Sequence, residues 1–259
     1  MAHYYQQLAS VFRGVWNSNR HCLASYLRLR RTRTILVSFV LSSVVFLEFP
    51  HVDLRFAALF YGGGFQMATQ GWPTLVHASV TWFLVASLAS VIGICLFNRL
   101  AGRNLFGIDG RKLVYLLLVL ALGAGLIVNG IFKDNFGRAR PRDVAEFGGT
   151  MDFTPAFIIT SECDRNCSFS SGDAAGAFFG LAFVLISRRK RLAAVAGIGY
   201  GVLVSAARMA SGAHWLSDNV VSFFVMLIVA DALYYQMFLY SPAALEPASD
   251  VRAGVLVEP

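Results

Sequence analysis

Six apolar runs, at approximately residues 34–49, 74–97, 113–132, 174–187, 192–206 and 219–240, come close to the roughly 20 residues that a helix needs to cross a bilayer. Backbone in hydrocarbon must satisfy its own hydrogen bonds, so segments of this kind are helices. The fourth and fifth runs are short and rich in Gly and Ala, so each borrows a turn from its flanks and packs closely on its neighbours. Only 14% of the chain is charged and 56% is hydrophobic, whereas a soluble domain carries roughly 25% charged residues. So few charges cannot cover a water-facing surface. The expected fold class is all-α: a polytopic membrane protein with six transmembrane helices in one bundle, forming one domain over residues 34–240.

Lys and Arg in the short loops set the orientation. Arg13, Arg20, Arg28, Arg30, Arg31 and Arg33 precede the first run, Arg99, Arg103, Arg111 and Lys112 lie between the second and third, and Arg188, Arg189, Lys190 and Arg191 lie between the fourth and fifth. These segments face the cytoplasm, so residues 1–33 form a basic cytoplasmic leader and the first run is an uncleaved anchor. Within the leader, residues 4–16 read either as an interfacial amphipathic helix or as a disordered basic tail. Residues 241–259 read as a disordered cytoplasmic tail. The net charge of +7 is then a topology signal and not a nucleic-acid footprint.

Three segments fall on the opposite, outward side. The first, at the end of the third run, holds Lys133, Arg138 and Arg140 just before Pro141. Cations this close to a helix-breaking Pro must enter water or hold an anion, and planar Arg forks suit phosphate oxygens. The second is Ser170-Ser171-Gly172-Asp173 at the start of the fourth run, where a hydroxyl and unpaired backbone N–H groups offer an anion seat. The third contains Arg208, His214 and Asp218, with the last two four residues apart. On one helix face the carboxylate would fix one ring nitrogen and leave the other free to attack. In the loop ahead of the second segment, Cys163 and Cys167 are placed for a disulfide in an oxidising compartment. Two free thiols are the alternative, and a metal site lacks a nearby His. Asp231, inside the last run, is expected to pair with a bundle neighbour.

In order, spacing and attachment to the last four runs, these segments resemble the type 2 phosphatidic acid phosphatase superfamily. The family's first motif, Lys, six residues, Arg-Pro, matches Lys133 to Arg140-Pro141. Its third, Ser-Arg, five residues, His, three residues, Asp, matches Arg208, His214 and Asp218, with Ala207 in place of Ser. Its second, Pro-Ser-Gly-His, is represented by Ser170-Ser171-Gly172-Asp173. The resemblance implies a site at the periplasmic ends of spans three to six in a bacterial inner membrane. His214 would be the nucleophile that forms a phosphohistidine, Asp218 its orienting partner, and Asp173 the proton donor in the place of the family's His. A water in that role and a protein that binds phosphate with slow turnover are alternatives. Lys133, Arg138, Arg140, Ser171, Gly172 and Arg208 would hold phosphate, with no metal or other cofactor required. The Gly137-Arg138 insertion in the first motif and the Cys-Ser-Phe-x-Ser-Gly stretch look like bacterial lipid A phosphatases. Undecaprenyl pyrophosphate phosphatases, phosphatidylglycerophosphate phosphatases, lipid phosphotransferases and weakly catalytic lipid-binding or scramblase-like proteins are the rival readings.

Overall fold

A computed structural model describes residues 20–67 and 71–240. Residues 1–19 and 241–259 lie outside it, and with them the expectations for residues 4–16 and for the tail. The described residues are helices joined by turns and short 3₁₀ segments, without a named strand. We number the principal helices α1 (Arg30–Glu48), α2 (His51–Ala58), α3 (Trp72–Ala101), α4 (Gly110–Asn135), α5 (Gly172–Ile186), α6 (Lys190–Ala210) and α7 (Leu216–Leu239).

Among them α3, α4, α6 and α7 are each long and apolar enough to cross a membrane. The helix α1 meets α2 at 84° beside Pro50, which cannot continue the first helix and opens the second. A fifth crossing follows if that bent pair is one span, and α5 is apolar but shorter than the others. Helix α1 begins at Arg30, a turn ahead of the apolar run, and its Arg31 and Thr32 reach Asp231 of α7 at 2.6 and 3.1 Å. Asp231 is thus paired inside the bundle.

Local sequence sets the ends of α3. Pro73 occupies the first turn, where its missing N–H costs nothing, and Gly102 closes the helix with φ +60. Its flank is apolar and open: Leu75, Trp82 and Leu100 are 74%, 72% and 78% exposed, a pattern suited to lipid and not to water. Helix α7 is the opposite case. It packs against α1, α4 and α5, and Val221, Val225, Met226 and Ala230 are buried in the main core with Tyr115, Leu116, Val119 and Val128 of α4. Over Leu120–Phe132, α4 widens into π-helical turns. Gly180 and Gly197 let α5 and α6 touch backbone to backbone, since a Cβ on Gly180 would stand 2.9 Å from the Gly197 Cα.

The chain direction alternates through α4 to α7. Consequently the end of α4, the start of α5, the end of α6 and the start of α7 meet at one end of the bundle. The long connection over residues 136–171 folds across that end, and a second apolar cluster of Ala57, Phe65, Ala139, Val144, Phe147 and Trp215 fixes it to α2.

Candidate active site

Lys133 closes α4, and the start of α5 is set against it. Ser171 caps α5 by accepting from the Ala174 N–H, and a Cβ on Gly172 would lie 2.6 Å from the Asn129 side chain and 3.4 Å from Lys133 Nζ. A side chain there would make Asn129 move. Arg208, at the end of α6, places Nε 3.0 Å from Asp173 Oδ2. The Ser170 hydroxyl is buried here without a protein partner among the described residues. Lys133, Arg140 and Arg208 are near enough to act on one another electrostatically. Arg140, whose guanidinium reaches the Asn166 carbonyl at 2.5 Å, has its hold on its proton weakened by burial and by Arg142 and Arg208. Cations gathered against their own repulsion make an anion seat.

His214 is almost fully buried beside it. Its Nδ1 lies 2.8 Å from the Ser168 carbonyl, which can only accept, so Nδ1 carries the proton and Nε2 keeps its lone pair. Burial pushes the imidazole below the ordinary His value; Asp218 works against that shift, and the charges of Arg208 and Arg140 reinforce it. A neutral ring with a free Nε2 is the form in which His attacks.

Asp218 supports this ring differently from the expectation. His214 precedes α7, so the two residues do not share a helix face, and Oδ2 stands 3.6 Å from Nδ1, too far for a hydrogen bond. The carboxylate instead accepts from the Ser168 hydroxyl at 2.5 Å and from the Trp215 N–H at 2.8 Å, as a cap of α7. It thereby holds Ser168, which holds His214.

Arg138, expected among the phosphate cations, is committed to protein partners. Gly137, at φ +59 and closely against the Thr160 carbonyl, turns the chain between the third run and Arg140. Arg138 is buried, with every arm committed: Nε to Thr154 O at 2.8 Å, one terminal nitrogen to Ser217 Oγ and Asp218 Oδ1 at 2.8 and 2.6 Å, and the other to Asp53 Oδ2 at 2.8 Å. It braces Asp218 from behind. Asp53, on α2, also accepts from the Ser217 N–H and hydroxyl at 2.9 and 2.6 Å. Cys163 and Cys167 are joined in the loop whose next residue is Ser168.

Sequence reasoning missed Asp53, Ser168 and His77, whose Nδ1 stands 3.3 Å from Asp173 Oδ1. An ionisable residue in an apolar run is a functional signal by itself, and His77 in the second run carried it.

A neutral, oriented His beside a cluster of cations, at one end of a bundle of apolar helices, is an arrangement suited to phosphoryl transfer. The chain belongs to the PAP2 superfamily, whose family model matches residues 113–241 and so spans α4 to α7. It is 36% identical to a lipid A 4'-phosphatase of Francisella tularensis subsp. novicida (strain U112) over 75% of this chain and 90% of that one. It is 34% identical to a lipid A 4'-phosphatase of Rhizobium leguminosarum over 73% of this chain and 88% of the relative. A third, from Rhizobium etli, is 32% identical over 79% of this chain and 89% of its own length. No solved structure matches the chain significantly. The chain is thus a membrane lipid phosphatase, a hydrolase of phosphoric monoesters.

Proposed function

We propose that the substrate is lipid A, and that the chain removes a phosphate from it at the periplasmic face of the bacterial inner membrane through a phosphohistidine on His214. The observation that carries the mechanism is the ring of His214, buried, neutral and tied through Nδ1 to the Ser168 carbonyl beside Lys133, Arg140 and Arg208. The substrate class rests on the named activity of the three relatives.

In this reading α1 and α3 to α7 make six crossings, with both termini cytoplasmic. The basic stretches at Arg99 to Lys112 and Arg188 to Arg191 join helices at the bundle end opposite the site, which supports an outward site by the positive-inside rule. A lipid phosphate enters the seat sideways from the leaflet. Lys133, Arg140, Arg208, the Ser171 hydroxyl and the Gly172 N–H hold its oxygens and stabilise the charge that spreads over them as the bond to the leaving oxygen breaks. His214 Nε2 attacks phosphorus, and the positive charge that develops on the ring is met by the Ser168 carbonyl and, behind it, by Asp218. Water then releases phosphate from Nε2. Asp173 remains part of the site, with a role taken up below.

The test is phosphate release by the purified protein from lipid A, undecaprenyl pyrophosphate and phosphatidylglycerophosphate, with His214→Ala alongside. Lipid A should be the preferred substrate, and His214→Ala should lower turnover by several orders of magnitude, on the order of 10⁶ for loss of a nucleophile. Preference for another lipid would overturn the substrate, and full activity in His214→Ala would overturn the mechanism.

A further inference from the structure

Breaking a phosphate ester of an alcohol or sugar needs a proton for the departing oxygen, because the alkoxide is a poor leaving group. Residue type alone assigns that task to Asp173. Both of its oxygens, however, face protein groups of the site: Oδ2 stands 3.0 Å from Arg208 Nε and Oδ1 3.3 Å from His77 Nδ1.

His77 has the complementary properties. Asp173 faces one ring nitrogen, and the other has no protein partner among the described residues. The ring is 49% exposed while Asp173 is 25% exposed and Arg208 only 14%, so the three step outward from the anion seat towards the surface. His77 sits on α3, the helix whose Leu75 and Trp82 are open to lipid. The phosphorus must lie inside, against the cations, and the lipid oxygen to which it is bonded must lie on the membrane side, where His77 is. Imidazole is also the side chain that ordinarily gives and takes protons near neutral pH.

We propose that His77 donates the proton to the leaving oxygen and that Asp173 is its positioning residue, so that the site contains a second histidine steadied by protein oxygen atoms. The assignment rests on the phosphatase reading above. In the first step a bond forms from His214 Nε2 to phosphorus as the phosphorus–oxygen bond to the lipid breaks. The electron pair leaves with the lipid oxygen, which takes the proton from the His77 imidazolium. In the second, neutral His77 takes a proton from a water whose oxygen bonds to phosphorus. The phosphorus–nitrogen bond then breaks, its electron pair returns to His214, phosphate departs, and His77 is again protonated.

The experiment uses two acylated phosphate monoesters that differ only in the leaving group, one an alkyl alcohol and one a nitrophenol, with the full-length protein in detergent. A nitrophenolate departs without a proton, so a missing proton donor hardly affects it. His77→Gln should lower kcat on the alkyl ester by about 10²- to 10⁴-fold and on the nitrophenyl ester by less than about 10-fold. His77→Asn, which keeps a donor facing Asp173, should show the same selectivity, and His214→Ala should lose both substrates. Equal losses on the two esters in both His77 variants, or no loss on the alkyl ester, would overturn the assignment. An inactive wild type would bring down the phosphatase reading together with this assignment, whereas an active wild type with an unselective His77 effect would overturn the assignment alone.

Discussion

Asp53→Ala removes an acceptor that the sequence motifs never mention and should destabilise the whole site end of the bundle. The side chain is fully buried and accepts from Arg138 at 2.8 Å, from the Ser217 N–H at 2.9 Å and from the Ser217 hydroxyl at 2.6 Å. Three buried donors lose their acceptor at about 1–3 kcal/mol each, for a total of about 3–9 kcal/mol. Treated instead as one broken buried ion pair, the loss is about 3–5 kcal/mol. The two routes overlap at about 3–5 kcal/mol, which for a chain of this size lowers Tm by about 6–20 °C at about 2–4 °C per kcal/mol. Asp53→Asn keeps an oxygen for part of this set and should lose less. Thermal unfolding of the purified protein in detergent, followed by tryptophan fluorescence, measures both. A shift of less than about 2 °C for Asp53→Ala would show that this buried network is not what holds α2 and the Arg138 segment to α7.

The pH dependence has a definite sign. Because burial holds His214 below its ordinary value of about 6.5, stability from its neutral ring is fully present above about pH 6.5 and is lost as pH falls through the lower folded value. The acid limb of kcat/KM should likewise fall below about pH 6.5, and a limb well above it would contradict a neutral, buried nucleophile. For sidedness, a single cysteine at Glu146 or Arg189, both exposed, placed in a Cys22→Ser, Cys95→Ser background, is labelled with a membrane-impermeant maleimide. Glu146→Cys should react in intact spheroplasts and Arg189→Cys only after lysis; the reverse pattern would place the site in the cytoplasm.

The parts of the fold visible in the sequence were those that lipid dictates. Runs of apolar residues marked the helices because hydrocarbon leaves the backbone no other partners. The spacing from Lys133 to Arg140 and from Arg208 to Asp218 marked the site because residues at a helix end and in the following turn keep fixed relations. Nearness in sequence to Lys133 and Arg140 says nothing about direction: after the left-handed turn at Gly137 the Arg138 guanidinium meets Thr154, Ser217, Asp218 and Asp53. The His214–Asp218 relation was seen as a pair on one helix face, whereas α7 starts only at Leu216 and Ser168 comes between them. Asp53 and His77 belong to α2 and α3, which enter the site only through tertiary packing. No local pattern connects them to it, although at His77 an ionisable residue inside an apolar run is visible.

In the proposed mechanism His214 carries the phosphoryl group during turnover. The direct measurement is rapid acid-free quenching of the protein during hydrolysis of a ³²P-labelled lipid phosphate, followed by digestion and mass spectrometry of the peptide containing His214. The label should be stable in alkali, labile in acid and located on His214, absent from His214→Ala and accumulating more when the water step is slowed. Steady release of phosphate by the wild type with no label on His214, or with label on another residue, would contradict it.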